Sequence, residues 1–137
     1  MATEADLQIQ VADYLRLRYP NVIFHSDFGS GIKLTMRQAA MQKRMNGGHR
    51  AYPDMFIALP KIRSVSAEGL PHIYHGLFIE LKREGTRILK KDGEYVADKH
   101  IREQAKLLQE LELLGYRAVF AVGFDQAKQI IDSYMAI

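Results

Sequence analysis

The sequence predicts a single α/β domain, residues 1–137, in which helices flank a mixed β-sheet. Segments with apolar residues at helical spacing alternate with short apolar runs of strand length, and Gly or Pro separates them. The length of 137 residues suits one domain with its own hydrophobic core. The predicted order is helix, strand, helix, two strands, a candidate hairpin, helix, strand and helix. That order corresponds to two or three packed layers.

The N-terminal third contains two predicted helices around a short strand. The first helix spans about 4–19, where Thr3 and Asp6 resemble a capping box and Pro20 ends the helix. The strand lies in NVIFHSD and precedes the turn FGSG. The second helix spans about 35–48, because it begins with another capping box and ends at NGG. The apolar stripe of the first helix consists of Leu7, Val11, Tyr14 and Leu15.

Two apolar strands are predicted in the middle of the chain. The segment DMFIALP, entered through Pro53, is the first of them. A polar connection that contains Glu68, Gly69 and Pro71 leads to the second, in GLFIELK. The two strands are therefore separated by what we expect to be a loop.

The C-terminal part begins with a candidate hairpin, which Asp92-Gly93 indicates as a turn signal. A third helix spans about 99–114 and ends at Gly115. RAVFAVG is a strand, and FDQAKQIIDSYM is the last helix. The apolar stripe of that helix consists of Ala127, Ile130, Ile131 and Tyr134.

Composition excludes several classes of protein. No apolar run approaches the roughly 18 residues that a membrane span needs. The N-terminal MATEADLQIQ has no apolar region of the kind found in signal peptides. A chain without cysteine has neither a disulfide framework nor a thiolate metal site. We therefore expect a cytoplasmic protein with no membrane partner.

Basic residues are concentrated in two segments, although the net charge is only +3. Segment 28–53 has no acidic residue, and Glu84 is the only acid in 82–91. Such clusters favour a polyanionic partner such as nucleic acid, and the alternative is a solvated surface with chance clustering. The cations are Lys33, Arg37, Lys43, Arg44 and Arg50 in the first cluster, and Lys82, Arg83, Arg87, Lys90 and Lys91 in the second.

Three charged residues occur in strands that otherwise resemble buried ones. Because strand side chains alternate between faces, Glu80 and Lys82 share one face with Phe78. Asp54 lies at the start of the other apolar strand, and strands disfavour Asp in their interior. Each also has an ordinary explanation. Glu80 and Lys82 would lie at an exposed strand end, and Asp54 would close a turn.

Two further polar residues lie on the apolar stripes of helices. Glu4 is one turn before Leu7, and Gln104 is followed at helical spacing by leucines. A buried polar group without a partner costs about 1–3 kcal/mol. The ordinary explanations are a favourable helix dipole for Glu4 and a hydrogen bond to the backbone for Gln104.

A metal–phosphate site would explain these residues together. If the two apolar strands are neighbours, Asp54, Glu80 and Lys82 converge at one edge of the sheet. Two carboxylates form a site for a hard divalent cation, Mg²⁺ or Mn²⁺, to which Glu4 would add a carboxylate directly or through water. Such a cation binds a phosphate oxygen and lowers the pKa of a bound water. An adjacent ammonium orients that water or stabilises charge on the phosphorus centre.

The spacing of these residues resembles a known signature. The dipeptide PD at 53–54 followed by ELK at 80–82 looks like the catalytic motif of the PD-(D/E)xK nucleases. The acid-bearing first helix, the approach NGGHRAYPDMF and the segment REQAKLLQELELLGYRAVFAV resemble the VRR-NUC family more specifically. The similarity spans about 4–122. Two departures are the long segment REGTRILKKDGEYVADKH and the tripeptide RAY in front of PD.

The resemblance implies a restriction-endonuclease-like fold and hydrolysis of phosphodiester bonds that depends on Mg²⁺ or Mn²⁺. By position, it implies that Asp54 and Glu80 are metal ligands and that the Leu81 carbonyl is a third. Lys82 would be the catalytic lysine. Gln104 would position either Lys82 or the attacking water.

The same resemblance implies that Glu4 is the helix-borne acid of the catalytic site. Small stand-alone members of the family are typical of bacteriophages and mobile elements, which would place the protein in the host cytoplasm. They are similar to homodimers that act on branched DNA such as four-way junctions, and a two-fold pair of sites suits paired cuts. The choice between DNA and RNA stays open.

The predicted function is therefore that of a metal-dependent, structure-selective DNA endonuclease. Alternatives are a non-catalytic nucleic-acid-binding module on the same fold and a small-molecule α/β enzyme. The joint presence of the site residues argues against the first, and the lack of a phosphate-binding glycine loop argues against the second. The five histidines form no ligand set and are expected at the surface or facing DNA. Phosphate contacts without base readout are predicted for Arg37, Lys43, Arg44, His49, Arg50, Arg83, Arg87, Lys90 and Lys91.

Overall fold

The computed structural model describes residues 2–28, 33–48 and 51–137. None of the helices within these ranges is both long enough and apolar enough to cross a bilayer. The described elements are, in chain order, α1 (Glu4–Arg18), β1 (Phe24–Ser26), α2 (Met36–Met45), β2 (Met55–Ile57), β3 (Lys61–Val65), β4 (Pro71–Tyr74), β5 (Leu77–Lys82), α3 (Lys99–Leu113), β6 (Arg117–Val122) and α4 (Gly123–Met135).

The main sheet contains four strands in the order β1-β2-β5-β6. The pairs β1–β2 and β2–β5 are antiparallel, whereas β5 and β6 are parallel and are joined through α3. A parallel pair needs such a crossover connection. All six residues of β5 are buried, as expected for a central strand with a helix layer on each face. The predicted mixed sheet flanked by helices is confirmed.

Helices cover both faces of the main sheet, so the domain has three layers. On one face, α1 and α4 pack with residues such as Leu15 and Ile131 against Ile79 of β5. On the other face, Leu108 of α3 packs against Phe78 of β5. Because side chains alternate along β5, Glu80 and Lys82 lie on the same face as Phe78 and are also turned towards α3.

Local signals set the helix boundaries as predicted. Thr3 and Thr35 each accept a hydrogen bond from the backbone N–H three residues later, and both capping boxes are complete. Gly115 follows α3 with φ of +99°, a conformation that disfavours other residues. A Cβ atom at Gly115 would also lie 2.6 Å from the exposed His75 ring, which would have to move.

The connection between the two central strands is more ordered than predicted. In place of a loop, β3 and β4 form a separate antiparallel hairpin. Their side chains are mostly exposed, so no alternation of apolar and polar residues marks them as strands. The strand predicted over 54–60 is also shorter, because pairing of β2 ends at Ile57 and the hairpin begins soon after Pro60. Proline has no N–H to contribute to a ladder.

The segment that follows β5 forms a turn with one bridge in place of the full hairpin that the sequence predicted. A single antiparallel bridge joins Leu89 and Tyr95, on either side of the predicted turn. Arg102 of α3 donates hydrogen bonds to the carbonyl oxygens of Val96 at 2.9 Å and of Tyr95 at 3.3 Å. The basic segment is therefore attached to the helix that follows it.

Candidate active site

Asp54, Glu80, Lys82 and Gln104 come together at one end of the β2–β5 pair. Each of them is only 4% to 6% exposed. Asp54 immediately precedes β2, and continuing the β2–β5 register by one residue places it opposite Glu80. Burial excludes the ordinary explanations, since Glu80 and Lys82 are not an exposed strand end and Asp54 is not a surface turn residue.

Asp54 is held by hydrogen bonds to the backbone on both sides. Its Oδ2 atom accepts a hydrogen bond of 2.7 Å from the Leu81 N–H of β5. Its carbonyl oxygen accepts a hydrogen bond of 2.8 Å from the N–H of Asp27, which follows β1. These two bonds fix Asp54 between the neighbouring strands, with its carboxyl group beside that of Glu80.

Gln104 connects α3 to the site. Its Nε2 atom donates a hydrogen bond of 2.9 Å to Glu80 Oε1 and lies 3.2 Å from His100 Nε2. The sequence predicted Lys82 or a water molecule as the partner of Gln104. The structure places the amide on Glu80 instead. Alternation along β5 turns both Glu80 and Lys82 towards α3, and Gln104 lies within hydrogen-bond distance of Glu80.

Two buried oxygen atoms of this network receive no hydrogen bond from the described part of the chain. They are Glu80 Oε2 and Gln104 Oε1. A buried acceptor without a donor costs about 1–3 kcal/mol, so an unpaired carboxylate oxygen beside a second carboxylate is an unfavourable arrangement for the protein alone. A positively charged ligand would relieve it.

Burial raises the pKa of both carboxyl groups. For Asp54 the rise is opposed by hydrogen bonds from Glu80 and from the Leu81 N–H. For Glu80, burial and then the charge of Asp54 raise the pKa well above its ordinary value of 4.5. The Lys82 ammonium lowers both pKa values without cancelling the rise. Two adjacent buried carboxylates repel each other, and a shared proton or a cation relieves that repulsion.

Glu4, the first residue of α1, is half-buried and lines a cleft of about 440 Å³ next to the carboxylate pair. Its charge raises the pKa of Asp54 and of Glu80, so it acts on the pair electrostatically.

Within the described ranges, no three His, Cys, Asp or Glu side chains are grouped so that they could hold a metal ion. A role for Glu4 as a ligand stays a prediction. The other residues that line the cleft are Thr3, Lys82, Arg83, Thr86, Asp98, His100 and Ile101.

Gln8 is a buried polar residue whose role the sequence reasoning missed. Its Nε2 atom donates hydrogen bonds to Ser26 Oγ at 2.6 Å and to the Asp27 carbonyl oxygen at 2.8 Å. Asp27 in turn holds the backbone of Asp54. The available signal was its position, because Gln8 lies on the apolar stripe of α1, one turn after Glu4 and one before Val11.

The predicted DNA-binding cations that the structure describes are exposed. Three of them lie on α2, a helix that buries none of its residues. His49 and Arg50 lie outside the described residues. The role of all these residues in DNA binding stays a prediction. The exposed cations are Arg37, Lys43 and Arg44 on α2, and Arg83, Arg87, Lys90 and Lys91 after β5.

A comparison with solved structures finds a protein described as a "VRR_NUC domain protein". The match has a TM-score of 0.61 and 26% sequence identity, and it covers 99% of this chain and 90% of that chain. No family model and no curated protein matches the chain. The match extends over almost the whole fold, including the strands and helices that carry the buried carboxylate pair. The predicted resemblance is thus confirmed, since over almost its whole length the chain is similar in fold to a VRR-NUC domain protein, which suggests a domain of nuclease type.

Proposed function

We propose that this protein is a metal-dependent endonuclease that hydrolyses phosphodiester bonds in DNA. The observation that carries the proposal is the buried group of Asp54, Glu80, Lys82 and Gln104, in which Glu80 Oε2 has no hydrogen-bond donor among the described residues. Four polar residues buried at one place are costly unless they serve a ligand. Two carboxylates and an ammonium suit a cation together with a phosphate.

The donor set fits Mg²⁺ or Mn²⁺. Asp54 and Glu80 offer carboxylate oxygens, the ligands that hard divalent cations prefer, and the Leu81 carbonyl is the proposed third protein ligand. Mg²⁺ usually keeps several waters and takes only one or two carboxylates, so two side chains suffice. When bound, such a cation supplies charge against a phosphate oxygen and lowers the pKa of a coordinated water.

The remaining side chains have separate proposed roles. Lys82 donates to the attacking water or to a phosphate oxygen, where an ammonium in a buried site stabilises developing negative charge. Gln104 keeps Glu80 in its rotamer through the 2.9 Å hydrogen bond. Glu4 contributes a third negative charge at the edge of the site, directly or through water.

We further propose a homodimer that acts on branched DNA such as four-way junctions. Two-fold related sites suit paired cuts across a junction. The exposed cations of α2 and of the segment after β5 would contact phosphates without reading bases. Light scattering should give twice the chain mass of 15.7 kDa, and a monomer at working concentration would remove this part of the proposal.

A cleavage assay tests the proposed activity. Linear duplex, flap and four-way-junction DNA, and a matched RNA duplex, are incubated with Mg²⁺, Mn²⁺ or EDTA. We expect cleavage of the junction with either cation and none in EDTA. Glu80→Gln should abolish it, whereas Glu68→Gln, which changes an exposed acid, should not. A wild-type protein that binds DNA but cuts none of these substrates would favour the non-catalytic alternative.

Cation binding is tested separately by calorimetry. Mg²⁺ or Mn²⁺ titrated into the wild type should give a saturable signal, which Glu80→Gln should weaken strongly while Glu68→Gln leaves it unchanged. Equal binding by the three proteins would place the cation elsewhere. This measurement requires no DNA and no turnover.

A further inference from the structure

His100 is the one titratable side chain that touches Gln104 within the described residues and that the proposed function leaves without a role. It lies one turn before Gln104 on α3, and its Nε2 atom is 3.2 Å from Gln104 Nε2. It is exposed and lines the cleft beside the carboxylate pair. The contact between two nitrogen atoms restricts which of them carries a hydrogen.

The hydrogen bonds of Gln104 determine the tautomer of His100. An amide nitrogen has two hydrogens and no acceptor lone pair. One hydrogen of Gln104 Nε2 goes to Glu80 Oε1, so the second is directed at His100 Nε2, which must accept it. With Glu80 ionised, exchanging the amide nitrogen and oxygen would place two acceptors, Gln104 Oε1 and Glu80 Oε1, against each other. A neutral imidazole that accepts at Nε2 carries its hydrogen on Nδ1.

The Nδ1–H group of His100 has no hydrogen-bond partner among the described residues. The cleft that His100 lines also contains the cations Lys82 and Arg83 and the acids Glu4 and Asp98. Of the acids at this cleft, Asp98 uses one oxygen to cap α3 through the Ile101 N–H at 3.1 Å. The other acid is Glu4, at the start of α1. An oriented donor beside two cations suits an anion, and an N–H group binds a charged oxygen more strongly than a neutral one.

We propose that His100, held by Gln104 as its Nδ1–H tautomer, donates a hydrogen bond to a phosphate oxygen of the DNA in this cleft. The proposal rests on the proposed function, because the phosphate belongs to the substrate of the same site. It assigns Gln104 a second task, since one amide then orients both a carboxylate of the metal site and a substrate-binding imidazole.

The tautomer is tested without DNA and without turnover. Long-range ¹H–¹⁵N spectra of the ¹⁵N-labelled protein at mildly alkaline pH distinguish Nδ1–H from Nε2–H imidazoles, and His100→Asn identifies the His100 signals. We expect the Nδ1–H pattern for His100 in the wild type. It should change to the Nε2–H pattern of an unrestrained imidazole in Gln104→Leu, while exposed His25 and His72 show that pattern in both proteins. An Nε2–H pattern for His100 in the wild type would overturn the proposal.

The phosphate contact is tested by the shape of the replacement side chain. The amide nitrogen of Asn occupies nearly the position of His Nδ1, whereas that of Gln corresponds to Nε2. Duplex DNA binding in EDTA, followed by fluorescence anisotropy, should weaken about tenfold or more in His100→Ala and His100→Gln, because a hydrogen bond to a charged group is lost. His100→Asn should retain most of the affinity. His72→Ala, which removes an exposed histidine on β4, should bind as the wild type does.

The outcomes separate this inference from the proposed function. If the wild type binds DNA and cuts nothing, the nuclease proposal fails, and the affinities and the tautomer still decide the role of His100. Equal affinities of the wild type and His100→Ala would overturn the phosphate contact. The phosphate contact would also be overturned if His100→Asn bound DNA as weakly as His100→Ala while circular dichroism showed both variants folded. A wild type that does not bind DNA would overturn it as well.

Discussion

Asp54 Oδ2 accepts a hydrogen bond of 2.7 Å from the backbone N–H of Leu81. The bond connects a side chain in front of β2 to the backbone of β5. Asp54 therefore has two separable properties, because an acceptor oxygen supports the strand pair and a negative charge serves the proposed cation. Asparagine keeps the first property and removes the second.

Replacing Asp54 should separate these properties. We expect Asp54→Asn to unfold in EDTA with a free energy no lower than that of the wild type, since it retains an acceptor and removes a buried charge. Asp54→Ala should lose about 1–3 kcal/mol, because the Leu81 N–H is left without a partner. Both variants should lose cleavage and cation binding. Urea titration measures the stabilities, and equal destabilisation by the two substitutions would contradict this role of the bond.

The raised pKa of Glu80 predicts a pH dependence of stability in the absence of cations. Because the pKa in the folded state lies above that in the unfolded state, this proton-linked stability is fully present below about pH 4 and is lost as the pH rises through the folded value. Glu80→Gln lacks the titrating group. The free energy of unfolding of the wild type minus that of Glu80→Gln, measured with urea in EDTA, should therefore fall as the pH rises above about 4. A difference that stays constant would show that the pKa of Glu80 is not raised.

Asp132 of α4 should stabilise the contact with α1. Its Oδ1 atom accepts hydrogen bonds from the hydroxyl groups of Tyr14 and, at 2.7 Å, Tyr19. The Tyr14 hydroxyl, with smaller contributions from Tyr19 and Lys128, lowers the pKa of Asp132 to about 2. Asp132→Asn should cost about 1–2 kcal/mol at pH 7, since hydrogen bonds to a charged acceptor become weaker.

The lowered pKa of Asp132 gives stability a pH dependence opposite in sign to that expected for Glu80. A lowered folded pKa contributes stability that is present above the ordinary value of 3.8 and is lost as the pH falls through about 2. The destabilisation by Asp132→Asn should therefore shrink between these values in urea titrations. Asp13→Asn, which removes an exposed ion pair with Arg16, should change stability by less than about 0.5 kcal/mol and serves as the control.

Gly76, directly before β5, should not tolerate a side chain. A Cβ atom there would lie 2.6 Å from the Phe56 ring and 2.8 Å from the Ile57 carbonyl oxygen, and the backbone oxygen cannot move without displacing β2. We expect Gly76→Ala to lower the free energy of unfolding by about 1–3 kcal/mol through this overpacking. Thermal and urea unfolding measure the change. Ser133→Ala, an exposed substitution on α4, is the comparison, and equal stability of the two variants would refute the close approach.

The elements with strong local signals could be predicted from the sequence. The capping boxes at Thr3 and Thr35 and the glycine at 115 set helix boundaries through interactions within a few residues, so they are visible without tertiary structure. The site residues were found because Glu80 and Gln104 are polar at positions where the surrounding pattern is apolar. The structure confirms that both are buried.

The partners of these residues could not be predicted, because they depend on packing across the sheet. Glu80 and Lys82 both face α3, and Gln104 contacts Glu80 because the position of α3 along β5 decides which of the two it reaches. In the sequence, Gln8 looks like any other polar residue of a helix. Its hydrogen-bond partners, Ser26 and Asp27, are 18 and 19 residues away and are brought to it only by the fold. The β3–β4 hairpin escaped prediction because its exposed strands carry no alternating pattern.

The pairing of β2 with β5 also protects the chain against misalignment during folding. Phe56 lies opposite Phe78, with 4.4 Å between ring centroids, and Ile57 lies opposite Leu77. A slip of one residue would reverse the faces of one strand, so that Met55 and Ile57 would leave the core they share with Ile79 and Asp54 would turn towards that core. A carboxylate buried there without a partner is strongly disfavoured. The aromatic pair and the acidic residue therefore select the same register. The aromatic pair stabilises the correct alignment, and the acidic residue destabilises the shifted one.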